Sequence, residues 1–216
     1  VWDYEILHKL MDFEALQAFR ERGLHPAHGK LIGSAQNPDI FFQNREACNT
    51  HYQALPHIVE EKLQQVNQLL GTNYGLFEYY GAKDAEHILV AMGSVCETIE
   101  ETINSLNDSD SNAGLIKVRL YRPFSVPHFL KVLPKTVKKI TVLDRTKEPG
   151  ASGEPLYLDV LAALKGSSFS QIPVFRGRYG LSSKDTTPAQ ILTILRNQEK
   201  EHFTIGITDD VTHLSL

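Results

Sequence analysis

The sequence predicts an α/β protein in which a three-layer, open and mostly parallel sheet follows a helical and irregular lead-in. Two observations support this fold class. Short apolar runs alternate with amphipathic helical patterns beyond residue 80, whereas the earlier part of the chain has no such alternation. Strand–helix alternation indicates parallel neighbours, because parallel strands need crossover helices and these helices cover both faces of the sheet.

The lead-in contains two helical patterns separated by an irregular stretch. Apolar residues recur at three- and four-residue spacing over residues 1–22, which predicts one amphipathic helix that ends at Gly23. Residues 25–49 follow neither the helical nor the strand period and are expected to be irregular. The helical stripe returns over residues 54–70, with Pro56 expected near the first turn.

Strand and helix patterns then alternate four times. The strands are predicted at residues 87–93, 114–121, 138–145 and 171–177, and the helices at residues 94–106, 126–133, 153–166 and 187–197. Thr187 is expected to cap the last of these helices, with Pro188 at its first position. A final strand pattern within residues 201–216 is expected to lead into a following domain.

Composition and charge exclude several classes of function. The 216 residues are 42% hydrophobic and 22% charged, with a formal net charge of −4. Nucleic-acid binding is not expected, because it needs clustered and uncompensated Lys and Arg side chains. No apolar run approaches the roughly 20 residues that cross a bilayer, so no membrane partner is expected. Two cysteines are too few for a disulfide framework, and we expect a reducing, cytoplasmic location.

A glycine–serine turn after the first predicted strand is a weak candidate anion site. Gly93 and Ser94 precede a helix, whose free N–H groups would point into the crevice at the carboxyl end of the sheet. We favour a structural interpretation of the same residues, in which Ser94 caps the helix and Glu97 completes a capping box.

Two arginines mark the same edge of the predicted sheet. Arg119 lies near the end of a predicted strand that should be nearly all apolar, and Arg122 follows that strand, so both need carboxylate partners or an interface. The preferred interpretation is a charge network for domain or subunit contact, with its partners in the loop after the neighbouring strand. The interface candidates in that loop are Asp144, Arg145, Lys147 and Glu148. A catalytic role is less favoured, because no activated nucleophile or paired acid and base accompanies these residues.

Histidine and acidic residues suggest metal ligands at two places without completing a set. His25 with His28, or Asp209 and Asp210 with His213, lack the third and fourth convergent ligands of a zinc site. Ordinary loop and surface histidines are therefore the favoured interpretation, and no metal ligand is predicted.

Six stretches of the sequence resemble one contiguous part of the single-chain pyruvate:ferredoxin (flavodoxin) oxidoreductases. They are SAQNPDIFFQNREACN, VAMGSVCETIEE, GLIKVRLYRPFS, LDRTKEPGASGEPLYLDV, GRYGLSSKDTTPAQI and FTIGITDDVTHLSL. The resemblance implies an interior segment of an enzyme that converts pyruvate and coenzyme A to acetyl-CoA and carbon dioxide. In that family thiamine diphosphate with Mg²⁺ carries the carbon chemistry, and [4Fe–4S] clusters pass electrons to ferredoxin or flavodoxin.

The same resemblance implies a domain organisation. Residues 1–80 would end the first thiamine-fold domain, residues 81–200 would form a domain similar to the C-terminal domain of transketolases, and residues 201–216 would lead to the next domain. No Gly-Asp-Gly motif and no series of closely spaced cysteines is present, so no catalytic residue carries over from the family. We therefore expect a structural and interface-forming segment of a homodimeric enzyme, inactive when isolated, whose cofactors are bound by other domains.

Two alternatives remain open from the sequence. The segment could be a module that binds an anion such as the coenzyme A phosphates, through Gly93 and Ser94 with Arg119 or Arg122 nearby. It could instead be the equivalent domain of a pyruvate:NADP oxidoreductase or another fusion. The choice of 2-oxo acid rests on overall similarity alone.

Overall fold

The computed structural model describes residues 2–30, 33, 35–106 and 112–216. The chain divides into an amino-terminal unit, Val1–Tyr74, and a carboxy-terminal unit, Gly75–Leu216. None of the helices in the described residues is both long and apolar enough to cross a bilayer.

The amino-terminal unit consists of three helices, α1 (Tyr4–Leu10), α2 (Phe13–Glu21) and α3 (Pro38–Leu70). The prediction of a single helix over residues 1–22 is wrong, because the helix is interrupted between Leu10 and Phe13. The Asp12 side chain accepts a hydrogen bond from the Ala15 backbone N–H and caps α2.

The irregular segment predicted over residues 25–49 is also partly wrong, because α3 begins at Pro38. The Asn37 side chain accepts a hydrogen bond from the Ile40 N–H, and Pro38 occupies the first turn. The helix then runs for 33 residues to a left-handed Gly71. Pro56 therefore lies inside the helix, where it removes one backbone hydrogen bond, and not in a first turn.

A six-stranded sheet with the predicted alternation of strands and helices forms the carboxy-terminal unit. The elements are β1 (Phe77–Gly81), β2 (His87–Ala91), α4 (Val95–Ser105), β3 (Ala113–Val118), α5 (Val126–Val132), β4 (Lys139–Asp144), α6 (Pro155–Leu164), β5 (Val174–Arg178), α7 (Pro188–Arg196) and β6 (His202–Thr204). The strand order is β1-β3-β2-β4-β5-β6, and only the edge strand β1 runs antiparallel to its neighbour. The predicted mostly parallel α/β fold is confirmed.

Helices cover both faces of this sheet. Helices α4 and α7 contact each other, and their apolar residues form one core with alternate residues of the strands, among them Leu89 and Leu143. The intervening strand residues, such as Ile88 and Val90, are buried on the other face, where α5 and α6 pack against β1 and β4. Phe129 of α5, for example, is fully buried and lies with its ring 5.6 Å from that of Phe77. Thr187 caps α7 in a capping box with Gln190, and Pro188 lies in the first turn, as predicted.

The two outer strands change the expected boundaries of this unit. β1 was not predicted, and its pairing with β3 places the start of the unit at Gly75 and not at residue 81. β6 pairs with β5 in the same sheet, with Gly177 opposite Phe203. β6 therefore belongs to this sheet. How these units correspond to the domains implied by the resemblance remains a prediction.

The buried imidazole of His87 should make the stability of the fold depend on pH. Burial lowers the pKa of His87 to about 3, and the nearby Lys139 ammonium adds to this shift. In the unfolded chain the His87 imidazole binds a proton as the pH falls below 6.5. In the folded chain it binds this proton only when the pH falls to about 3. We therefore expect the free energy of unfolding to fall as pH is lowered through this window, by on the order of 1 kcal/mol per pH unit from this group.

Urea unfolding followed by circular dichroism between pH 7 and pH 4 measures this dependence. His87→Gln should give a shallower dependence on pH than the original chain. Thr141→Val is the matched control, because it removes the 2.8 Å hydrogen bond to His87 Nε2 and leaves the imidazole in place, so the slope should persist. An unchanged slope in His87→Gln would contradict the assignment.

Candidate functional site

The strand order creates a crevice at the carboxyl end of the sheet. From β2 the chain passes through α4 to β3 on one side, and from β4 it passes through α6 to β5 on the other side. Because β2 and β4 are neighbours, the chain leaves two adjacent strands in opposite directions. Ligands of open α/β sheets bind at such topological switch points.

Predicted residues from both groups of candidates meet in this crevice. It encloses about 430 Å³ and includes the weak anion-site candidates Gly93 and Ser94 together with the interface candidates Asp144 and Arg145. The other lining residues are Met92, Tyr121, Thr146, Pro155 and Tyr179. Arg119 lies outside it, in a neighbouring cavity that also contains Gly93 and Ser94.

Ser94 does not play the capping role that the sequence indicated. Its side chain makes no capping hydrogen bond, and its backbone already has right-handed helical angles, φ −63° and ψ −21°. A capping residue normally has extended angles, which aim its side chain at the N–H groups of the first turn. The predicted capping box with Glu97 is therefore wrong. The preceding Gly93 has a left-handed φ of 78° and open space where a Cβ would lie.

Arg119 and Arg122 have carboxylate partners other than the predicted ones. Arg119 donates to both oxygens of Glu78 on the adjacent strand β1, at 2.6 and 3.0 Å. Arg122 binds Asp159 of α6 at 2.7 Å, and its guanidinium lies over the Tyr121 ring, 3.9 Å from the centroid. Placing these partners in residues 144–148 was therefore wrong.

The side chain of Asp144, at the end of β4, is used for hydrogen bonds within the protein. It is only 2% exposed, and its two carboxylate oxygens accept hydrogen bonds from the backbone N–H groups of Leu156 and Tyr157, at 3.0 and 3.1 Å. Burial raises the pKa of Asp144, and these two hydrogen bonds oppose that shift. The carboxylate thus fixes the first turn of α6, whereas Arg145, Lys147 and Glu148 are exposed.

The ionisable groups around the crevice favour binding over covalent chemistry. Burial raises the pKa of Tyr179 to about 12, and burial with a hydrogen bond to Asp159 raises the pKa of Tyr121 to about 12. Both phenols therefore remain protonated at neutral pH. Burial also raises the pKa of the Cys96 thiol to about 11, so this thiol is not an activated nucleophile.

The predicted absence of a metal ligand concerns the His, Cys, Asp and Glu side chains. In the part of the chain that the structure describes, no group of three or more of them is arranged to hold a metal ion. His25 and His28 form an isolated bridge with ring centroids 5.6 Å apart, and Asp210 accepts hydrogen bonds from two backbone N–H groups. The two cysteines of the sequence are free thiols in separate units, so the donor set does not fit an iron–sulfur cluster.

A buried ion pair beside the crevice was missed by the sequence reasoning. Arg178 at the end of β5 and Glu154 before α6 lie 3.4 Å apart, with side chains 8% and 5% exposed. Arg178 also donates to Thr204 Oγ1 at 3.0 Å. A signal was present, because Arg178 ends a predicted strand of a buried parallel sheet and a buried arginine needs a carboxylate.

Comparisons with known proteins identify relatives of the whole chain. Residues 85–191 match the family model of pyruvate:ferredoxin oxidoreductase core domain II. The chain is 54% identical over 220 residues to pyruvate:ferredoxin oxidoreductase of Moorella thermoacetica and 50% identical to pyruvate-flavodoxin oxidoreductase of Enterobacter agglomerans, covering 100% of this chain and 19% of each relative. Pyruvate dehydrogenase [NADP(+)] of Cryptosporidium parvum is 46% identical over 220 residues, covering 99% of this chain and 11% of that protein.

The chain thus spans about a fifth of the length of the first two relatives. Among solved structures, a 2-oxoglutarate:ferredoxin oxidoreductase from Magnetococcus marinus has a TM-score of 0.42 at 14% identity, covering 78% of this chain and 25% of that chain. That similarity is too low to support an inference about this chain.

Replacing one partner of the buried ion pair should strongly destabilise the chain. Glu154→Leu leaves the Arg178 guanidinium buried without its carboxylate, so the free energy of unfolding should fall by about 3–5 kcal/mol in a urea titration. The double variant Glu154→Leu/Arg178→Met should regain most of this loss, because no buried charge remains. Glu148→Ala, at an exposed acid of the same loop, is the control and should change stability by less than about 0.5 kcal/mol. If Glu154→Leu left the free energy of unfolding unchanged, the ion pair would have to be solvated and the prediction would be wrong.

Proposed function

The chain belongs to the pyruvate:ferredoxin oxidoreductase family, and from this we propose that it is a structural, interface-forming segment of a thiamine-dependent 2-oxoacid oxidoreductase. The complete enzyme is proposed to convert pyruvate and coenzyme A to acetyl-CoA and carbon dioxide, with ferredoxin or flavodoxin as the electron acceptor. This segment would hold domains in place and would leave the chemistry to other parts of the polypeptide.

One observation carries the structural role: none of the residues that the structure describes in the amino-terminal unit, which include those of α1, α2 and α3, is buried. Helix α3 nevertheless carries an apolar stripe at three-, four- and seven-residue spacing, which we call the α3 stripe. Its members are Phe41, Cys48, Tyr52, Leu55, Val59, Leu63, Val66 and Leu70.

The α3 stripe is only partly covered, because six of its members are half-buried and two, Phe41 and Tyr52, are exposed. Phe41 is 56% exposed and Tyr52 is 54% exposed, although aromatic side chains on an amphipathic helix normally face a core. A long helix gains most of its stability from packing its apolar face. We propose that the remaining polypeptide of the oxidoreductase, including the second subunit of a homodimer, covers the α3 stripe.

The proposed cofactors do not fit the donors that this chain offers. Thiamine diphosphate with Mg²⁺ and the [4Fe–4S] clusters would be bound by other domains, in keeping with the two separated cysteines and the protonated phenols of the crevice. The two free thiols are also consistent with a reducing, cytoplasmic location, which forms part of the proposal.

A second candidate differs in the electron acceptor. In this candidate the chain is the equivalent domain of a pyruvate:NADP oxidoreductase. Its 46% identity to a pyruvate dehydrogenase named for NADP(+) supports this assignment. Both candidates give this segment the same structural role. The redox groups of the complete polypeptide distinguish them, because an NADP-dependent fusion must contain a nucleotide-reducing domain.

Substitutions in the α3 stripe should have different effects in the isolated chain and in the complete enzyme. Phe41→Ser and Tyr52→Ser should each change the stability of the 216-residue chain by less than about 0.5 kcal/mol, because both side chains are exposed there. In the complete oxidoreductase, each should cost roughly 2–4 kcal/mol, because an aromatic side chain is removed from a covered interface. Urea and thermal unfolding of both forms measure the difference.

The exposed Gln64 of α3 provides the control, since Gln64→Ser should be neutral in both forms. If Phe41→Ser and Tyr52→Ser leave the complete enzyme as stable as Gln64→Ser does, the proposed covering of the α3 stripe is wrong.

Thiamine diphosphate should not bind to the isolated chain. Calorimetric titration of the 216 residues with thiamine diphosphate and Mg²⁺ should give no saturable heat, because the donor groups for the metal and the diphosphate are proposed to lie in other domains. The complete oxidoreductase, titrated under the same conditions after cofactor removal, is the positive control. Saturable binding by the isolated chain would assign a cofactor-binding role to this segment.

A further inference from the structure

We propose that the carboxyl edge of the sheet contains a binding site for an organic phosphate, with the phosphate group held between Arg145 and Lys184. The site differs from the anion site considered from the sequence, because Arg119 and Arg122 are not its cations. It is also independent of the proposed role of the α3 stripe.

The charges at this edge single out these two cations. Lys117 pairs with Glu100 and Glu78, Arg119 with Glu78, Arg122 with Asp159, and Arg178 with Glu154. Each of these cations is therefore neutralised by a carboxylate. Arg145, Lys147 and Lys184, in contrast, have no carboxylate within ion-pair distance in the described residues. Arg145 and Lys184 line one cavity together, whereas Lys147 lines a neighbouring cavity with Asp209.

Two glycines hold these unpaired cations in place. Arg145 Nε donates a 2.8 Å hydrogen bond to the Gly180 carbonyl, and a Cβ on Gly180 would lie 3.3 Å from the same nitrogen. Lys184 runs along Gly206, where a Cβ would lie 3.5 Å from Lys184 Cγ. Gly180 and Gly206 both have left-handed φ angles, 62° and 80°, which glycine adopts without strain. The guanidinium end of Arg145 is thus oriented while its terminal nitrogens remain available.

A cavity of about 240 Å³ lies between these side chains. Hydroxyl groups surround it, from Ser94, Thr98, Ser183 and Thr186. Among the described residues of its lining, Asp185 is the one carboxylate, so the two cations leave a positive balance. A guanidinium, an ammonium and several hydroxyls match the three oxygens of a phosphate group, which accept several charge-assisted hydrogen bonds at once.

The neighbouring cavity explains why the ligand should be organic. This second cavity, of about 440 Å³, shares Tyr179, Gly180 and Lys184 with the first and opens along the ends of β5 and β6. Its apolar lining residues are Leu181, Ile205, Ile207 and Val211. Lys147 and Asp209 also line it, and their charges balance. A phosphate at Arg145 and Lys184 would therefore have an apolar pocket beside it that can take a ring or an alkyl group.

Phenyl phosphate is a suitable probe because it combines both parts. Calorimetric titration of the 216-residue chain should show saturable binding of phenyl phosphate, with weaker binding of inorganic phosphate and of benzoate. Arg145→Gln and Lys184→Gln should each weaken phenyl phosphate binding by about tenfold or more, since each removes a charged hydrogen bond. Circular dichroism establishes that each variant is folded.

Lys165→Gln is the matched control, because it makes the same change of charge at the end of α6, at the opposite edge of the sheet. It should leave the affinity within about twofold at constant salt. The proposal is overturned if phenyl phosphate shows no binding at millimolar concentration, if Arg145→Gln binds as well as the original chain, or if Lys165→Gln causes an equal loss. Equal affinity for benzoate and phenyl phosphate would show that the site does not prefer a phosphate to a carboxylate, and this would also overturn the proposal.

Discussion

The carboxyl end of the sheet depends on the buried carboxylate of Asp144. Its two oxygens accept the backbone N–H groups that begin α6, so the end of β4 and the start of α6 are joined at one point. Helix starts leave N–H groups without partners, and a desolvated carboxylate satisfies two of them while gaining charge-assisted hydrogen bonds. The cost of burying the charge is visible in the raised pKa of Asp144. Glu154 stands directly before α6, so the same contact places it against Arg178 of β5 and thereby against Thr204 of β6.

The charges at this edge divide into two groups with different consequences. Lys117 is half-buried and Arg178 is buried, and both have carboxylate partners, because an unpaired charge away from water is costly. The exposed Arg119 and Arg122 are paired with carboxylates as well. The exposed Arg145 and Lys184 are solvated and can remain without a carboxylate. Their positions beside left-handed glycines follow from the chain turns after β5 and β6, where Gly180 and Gly206 reverse the backbone. Arg145 and Lys184 thus stay available to a ligand because they lack a carboxylate partner, and the turns at Gly180 and Gly206 position them.

The sequence predicted the regular part of the fold well, for physical reasons that concern single elements. Strands β2, β3 and β4 are mostly apolar runs, as buried parallel strands must be, and Thr187 with Pro188 marks the start of α7 by local chemistry alone. The start of α3 carried a similar local signal in Asn37, Pro38 and Asp39, which lay inside a stretch without apolar periodicity and was missed. Side-chain partners were harder to predict. Glu78 meets Arg119 only because β1 pairs antiparallel with β3, and no pattern in the sequence indicates that register.

The two units differ in how far their own residues can stabilise them. In the carboxy-terminal unit every strand has buried residues, and side chains interlock closely enough that a Cβ on Gly177 would lie within 2.4 Å of the Phe203 ring. Such packing is typical of a domain with its own core. The amino-terminal unit has one long helix, side-chain caps at the starts of α2 and α3, and an apolar stripe, but none of the residues of α1, α2 or α3 is buried. Helical propensity and caps contribute only about 1 kcal/mol each, which is small beside the burial of a full apolar face. The amino-terminal unit therefore depends on contacts from outside itself to a degree that the sheet does not, and this difference is the physical basis for regarding the chain as a part of a larger assembly.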